Sequence, residues 1–324
     1  MRKFVVFFAL ALAVVSCGKK SKEEKEIEEV KIPEVKIERL DRDYFTVKPA
    51  DFPKMRQRFA DLFPASTSDA EWLSRRNEPF LKELQAEVQK VYPDLDTLQT
   101  NTRELFKHIK YYYPKFNIPQ VVTLVNDNLE YKAMYNGKTV AIPLSIYLGR
   151  GNKYYQGLDT YRTQMYDPTQ ILPDVVESFA TTGMYAQISG LTDKTLLSYM
   201  IYFGKMQYLK DRLIPNVPDY DKIGYTKLQL QWAFENEAIM WSTLLEKQLL
   251  YSTEPQLPRR FINPAPFTRF GLDIDTDSPG RLGQWIGWQI VRSFMENNKD
   301  VTLQQLLAMD AKTIFEKSKY KPKK

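Results

Sequence analysis

The chain has 324 residues, 43% of them hydrophobic and 27% charged, with a formal net charge of +6. That length and apolar content support a large buried core, in one sizeable domain or two tightly joined ones, and exclude a disordered chain. Lysines and arginines are interspersed with acids and cluster only at the two ends, which speaks for a solvated mixed-charge surface and against a nucleic-acid-binding face.

Met1-Arg2-Lys3 and the apolar run Phe4 to Val15 form a basic n-region and an h-region too short to span a bilayer, the pattern of an export signal over residues 1–16. Val14-Val15-Ser16-Cys17-Gly18 resembles the bacterial lipobox, so Cys17, the only cysteine, is expected to carry the lipid and become the mature N-terminus. An intramolecular disulfide is thereby excluded. Acyl chains contribute ~0.8 kcal/mol per buried methylene, so a lipoprotein with more than one chain is tethered stably without spanning the membrane. Residues 17–43 then read as a lipidated N-terminus and flexible tether, because Lys19 to Glu26 is charged without an apolar period. Ile27 to Asp43 alternates loosely and fits either one strand or linker. Residues 44–324 read as a single, mainly helical globular domain.

Within it, Ser68 and Glu71 make a capping box, and Phe80, Leu81, Leu84, Val88 and Val91 recur at helical spacing until Pro93. Leu95, Leu98, Thr102, Leu105, Ile109 and Tyr112 form the next stripe, flanked by His108, the sole histidine, which reads as a core-edge residue. Val121 to Val125 is β-branched, and Asn136-Gly137 sits between two alternating segments, predicting a small antiparallel sheet or hairpin near 120–148. Gly149-Arg150-Gly151 lacks the spacing and context of a phosphate loop. From Thr169 the pattern is helical: Ile171 to Phe179, then Leu196 to Gln207 stopped by Pro215, then a long helix capped by Thr226 and Gln229 and running through Trp232, Glu235, Glu237 and Trp241 to Leu245. Thr302 with Gln305, and Asp310, cap the last two. The fold class is α+β, mostly helical.

One further helix stands apart. Ser278 reads as its N-cap and Pro279 as its first residue. At about 100° per residue, Gly280, Gly283 and Gly287 share a side with Ile290 and Phe294, while Arg281, Trp285, Trp288 and Arg292 lie opposite. Interior glycines cost roughly 1 kcal/mol each relative to alanine, so a second backbone packed on the glycine stripe is expected and the helix reads as buried. The Arg281–Trp285–Trp288–Arg292 stripe is a candidate structural element or partner-binding surface.

One histidine excludes every multi-histidine metal site, and a Ser-His-Asp triad has no G-x-S-x-G partner for His108. With Cys17 lipidated, thiol chemistry and cysteine-ligated metals are excluded too, so no catalytic residue and no cofactor beyond the Cys17 lipid is expected. Paired carboxylates need no histidine, and Glu235 or Glu237 beside Trp232 and Trp241 leaves a sugar-directed reading open.

Ser278-Pro279-Gly280-Arg281 with Trp285-Ile286-Gly287-Trp288, Met295-Glu296-Asn297-Asn298, Phe234-Glu235-Asn236-Glu237, Tyr251-Ser252-Thr253, Asn263-Pro264-Ala265-Pro266-Phe267 and Lys317 to Pro322 closely resemble the gliding motility-associated lipoprotein GldB family of Bacteroidota. The resemblance implies an envelope lipoprotein required for gliding, with partners in the gliding machinery and the overlapping type IX secretion apparatus; Gly18 and the lysine-first tether favour a periplasm-facing position in either leaflet. A fainter resemblance links the chain to zincin-type metalloproteases. Val176-Glu177-Ser178-Phe179-Ala180 stands where H-E-x-x-H would, leaving Glu177 as the vestige of a degenerate zincin-like fold that has lost its metal ligands. Two functions are thus expected: a non-catalytic partner-binding protein or, alternatively, a carboxylate-dependent or metalloprotease-like hydrolase of envelope polymers acting through Glu177 or Glu237.

Overall fold

The computed structural model describes residues 20–191 and 193–323, so the export signal and Cys17 lie outside the described residues. Within the charged run read as tether, the described residues fold into a helix from Lys22. Ser21 and Glu24 close a reciprocal capping box on helix α1 (Lys22–Glu28). Its inner face buries Ile27 and carries Glu23 to Arg212 and Tyr112, with Glu26 accepting from the Tyr111 hydroxyl at 2.8 Å. Charge without period therefore hid a helix whose acids meet tertiary partners.

Strand β1 (Ile37–Arg39) follows, and then helices α2 (Leu40–Thr46), α3 (Phe52–Arg58), α4 (Asp69–Arg75), α5 (Pro79–Val91) and α6 (Asp96–Tyr112). The capping box at Ser68 forms at the head of α4. Strands β2 (Gln120–Leu124), β3 (Met134–Tyr135) and β4 (Thr139–Pro143) complete a four-stranded sheet of order β1-β2-β4-β3. The expected hairpin is present: Asn136 N–H donates to the Thr139 carbonyl at 3.1 Å, the Asn136 carboxamide oxygen accepts from Lys138 and Thr139, and Gly137 takes φ 95°. The sheet, however, is mixed. β3 and β4 are antiparallel, whereas β1–β2 and β2–β4 are parallel, because β4 returns between β2 and β3. All five β4 residues are buried, since the sheet is covered on both faces. A small aromatic cluster of Tyr44, Phe52, Phe59 and Phe63 lies with Leu40, Leu81 and Val122 on one side, and the main core on the other.

The main core is helical. After the single turn α7 (Thr160–Thr163) come α8 (Ile171–Thr181), α9 (Leu196–Leu213), α10 (Asp219–Ile223), α11 (Lys227–Glu235), α12 (Glu237–Glu246), α13 (Leu257–Phe261), α14 (Leu282–Asn297), α15 (Leu303–Ala308) and α16 (Ala311–Ser318). The chain is thus mostly helical α+β, as expected. The long helix read from Thr226 to Leu245 divides at Asn236 into α11 and α12. The division leaves Glu237 at the start of α12, where it is buried, accepting from the Tyr320 hydroxyl at 2.6 Å and from Lys323 N–H at 3.2 Å.

The glycine stripe of α14 packs on α9, main chain to main chain. A Cβ on Gly287 would sit 3.0 Å from Met200 Cα and nearer still to its carbonyl, and one on Gly204 would sit 2.8 Å from Trp288 N. Ser278, in contrast, is not the cap. The helix begins at Leu282, after Arg281 in the left-handed region (φ 63°, ψ 23°). Ser278 and Thr268 instead stitch the approach: Thr268 N–H donates to Ser278 Oγ at 3.1 Å, and Thr268 Oγ1 accepts the first helical donor, Leu282 N–H, at 3.1 Å. A cap supplied by a loop fourteen residues upstream leaves no local pattern.

Candidate functional site

Of the four residues on the predicted stripe, only Arg281 lines the main cleft. Trp285 is fully buried edge-on to Phe234, with ring centroids 5.2 Å apart. Trp288 is fully buried too, its indole N–H donating to Asp211 at 2.8 Å. The Arg292 guanidinium lies 3.8 Å from the Trp288 ring and pairs with Asp211 at 2.8 Å and Asp219 at 2.7 Å, which holds the arginine fully charged. Trp288 and Arg292 tie α14 to α9 and α10, and Trp285 packs it against α11.

Arg281 lines a cleft of about 390 Å³ between α8, α9, the turn at Tyr225, and the two segments Asn263–Pro266 and Pro279–Arg281. The two segments close because Gly280 has no side chain: a Cβ there would sit 3.1 Å from the Ala265 carbonyl carbon and nearer to its oxygen. Tyr225 fixes the corner by donating from its hydroxyl to the Gly280 carbonyl at 2.6 Å. The left-handed backbone of Arg281 costs about 1–2 kcal/mol for a residue with a Cβ, and that turn carries the side chain back over the Tyr225 ring, 5.5 Å from its centroid. Apolar walls come from Met165, Phe203, Met206, Ile262 and the prolines.

The polar floor is built by helices α8 and α9. Asp174 and Glu177, three residues apart on α8, share a face. Lys132 pairs with Asp174 at 3.0 Å, and Asp174 also accepts from the Tyr147 hydroxyl at 2.9 Å. Lys210, buried on α9, pairs with Glu177 at 3.4 Å and donates to the Lys222 carbonyl at 3.0 Å. Burial works against the Lys132 charge, but Asp174 and Glu177 outweigh it and hold the ammonium above its ordinary value. Burial likewise works against the Glu177 carboxylate, and Lys210 and Lys132 outweigh it, keeping Glu177 ionised below the usual carboxylate range. Although protein surrounds it, about half of the Glu177 side chain faces the water of the cleft.

Gln207, one turn before Lys210 on α9, also lines the cleft; it is 2% exposed and its Oε1 has no hydrogen-bond partner. Gln284, Gln164 and Gln229 are satisfied, the first by the Ile262 carbonyl at 2.8 Å, the others by each other and the Gly224 carbonyl at 2.7 Å.

The remaining candidates lie elsewhere. His108 sits between α6 and α9 with Nδ1 2.9 Å from the Arg212 carbonyl, and burial lowers its basicity. Glu235 is exposed beside Gln231, and Glu237 is sealed behind Tyr320, so the two carboxylates on either side of Asn236 do not face one another across an opening. Among the described residues no group of three histidine, cysteine, aspartate or glutamate side chains stands together as a metal site. Lys132, Gln207 and Lys210 carry no sequence signature; Asp174 and Glu177 left one, two acids three apart within the apolar run of α8.

Residues 20–322 match the family described as gliding motility protein GldB. No curated protein and no solved structure matches the chain.

Proposed function

The chain belongs to the GldB family of gliding motility proteins, and on that premise we propose that it is a lipid-anchored envelope protein that serves gliding by binding partners, without catalysis. The observation that carries this reading is the state of the cleft floor. Both carboxylates there are spent on ammonium partners, Asp174 on Lys132 and Glu177 on Lys210, so neither is poised as a base or paired with a second acid across a gap. The segments that carry the family resemblance, Asn263–Pro266 and Pro279–Arg281, form the walls of that same cleft, which supports recognition as its use. Anchoring through Cys17 supplies the membrane attachment, since no described helix is long and apolar enough to cross a membrane. The partners are components of the gliding machinery and its secretion apparatus, met on the periplasmic side.

The test is gliding by cells carrying Glu177→Gln, and the double variant Glu177→Gln/Lys210→Met in which the pair is removed as a unit. Normal motility with normal protein levels is expected. A folded, membrane-bound variant that abolishes gliding, or one tightly held zinc per chain by elemental analysis, overturns the non-catalytic reading. Cys17→Ala should move the protein out of the membrane fraction.

A further inference from the structure

We propose that the cleft captures the free C-terminal carboxylate of a partner polypeptide, with Arg281 taking the carboxylate and Gln207 Oε1 accepting the amide N–H of the terminal residue. The inference rests on the reading of this cleft as a recognition site and names what it recognises.

Charge decides the first half. The inner groups form two cancelling pairs, Lys132 with Asp174 and Lys210 with Glu177, and the exposed Glu130 and Arg162 on the lining are opposite in sign, which leaves one odd cation, Arg281. Arg281 meets only neutral acceptors, the Gly224 carbonyl at 3.2 Å and the Met165 sulfur at 3.6 Å. A guanidinium presents five donors in a planar fork, so most of its capacity is open to a carboxylate. A single negative charge balances the site. A phosphate would bring nearly two, close to Glu177, and a neutral sugar would leave Arg281 unmatched.

The buried amide decides the second half. An unbonded acceptor at Gln207 costs free energy that a ligand N–H recovers, and a peptide supplies that donor within one residue of its terminal carboxylate. Met165, Phe203, Met206, Ile262 and Pro266 then offer apolar walls for the side chains. The volume of about 390 Å³ lies in the range of small-ligand sites, which is room for the end of a chain and excludes a folded surface.

The test uses the full mature chain and an array of tetrapeptides, each made as the free acid and as the C-terminal amide, with binders measured by calorimetry. The expected result is a set of free acids that bind, their amides being weaker by about tenfold or more, since a charge-assisted pair is lost. Arg281→Gln should abolish the preference for acid over amide. Gln207→Leu should weaken acid and amide alike. The acid–amide comparison on the unaltered protein needs no variant to fold. No binder in the array, equal binding of acid and amide, or inorganic phosphate binding that depends on Arg281 in place of peptide would each overturn the proposal. Elemental analysis of the unaltered protein for tightly held zinc reports on the non-catalytic reading without changing the cleft, so the two can fail independently.

Discussion

Replacing Gly287 with alanine tests the central packing of the molecule. The added Cβ would lie 3.0 Å from Met200 Cα and closer to its carbonyl, where ordinary van der Waals contact begins at 3.4 Å. Both obstructing atoms are main chain, as is Trp288 N opposite Gly204, so no rotamer change relieves the clash and α9 and α14 must move apart. Alanine gains about 1 kcal/mol of helix propensity, while overpacking a tight interface typically costs about 1–3 kcal/mol and more where rigid backbone is the obstacle. Separation also loosens Met200, Trp288 and Ile290, all fully buried. The net expectation is a loss of about 1–3 kcal/mol, and at roughly 2–4 °C per kcal/mol a melting temperature lower by about 2–12 °C. Differential scanning calorimetry measures it, with Gly190→Ala as control, since a Cβ there meets nothing within 4 Å. A Gly287→Ala protein that melts with the wild type would refute the close main-chain packing of the two helices.

Glu177→Gln alone should destabilise by about 1–3 kcal/mol in urea, below the cost of breaking a fully buried pair because Glu177 faces water, and adding Lys210→Met should recover much of the loss. Recovery that fails would mean the pair is not the coupling. Ser21→Ala removes the capping box of α1, and amides of Lys22–Glu28 should exchange faster without change in α6; unaltered exchange would argue against α1 as a docked helix. Lys205 is buried, donating to the Leu307 carbonyl at 3.1 Å and to Ser189 Oγ at 2.6 Å, and burial lowers its pKa to about 8. The unfolded chain keeps that proton up to the ordinary value of 10.5, so between about 8 and 10.5 it binds more protons than the folded state and stability rises with pH. Lys205→Met should remove that rise, worth up to about 3 kcal/mol, from the difference between the two urea midpoints; parallel pH profiles would show that Lys205 does not titrate in this window.

The sequence by itself determined what depends on residues within a turn or two of each other. The capping boxes at Ser68, Thr226 and Thr302 form because hydroxyl and amide partners are three residues apart. The 3.6-residue stripes of α5 and α6 bury Leu84, Val88, Leu105 and Ile109, and Asn136-Gly137 turns the hairpin because Gly137 takes the positive φ of the turn and Asn136 accepts from its backbone. The glycines of α14 announced a close backbone without saying which. Tertiary structure decided the rest, because the partners are far apart in the chain. The helix α1 exists where charge suggested tether, since Glu23 meets Arg212; α14 starts at Leu282, since Thr268 supplies its first acceptor; and β4 lies between β2 and β3, making the sheet mixed. The cleft gathers Lys132, Glu177, Gln207 and Arg281 from four separate stretches of chain. Charge balance and an unbonded acceptor are properties of that assembly, and no local pattern encodes them.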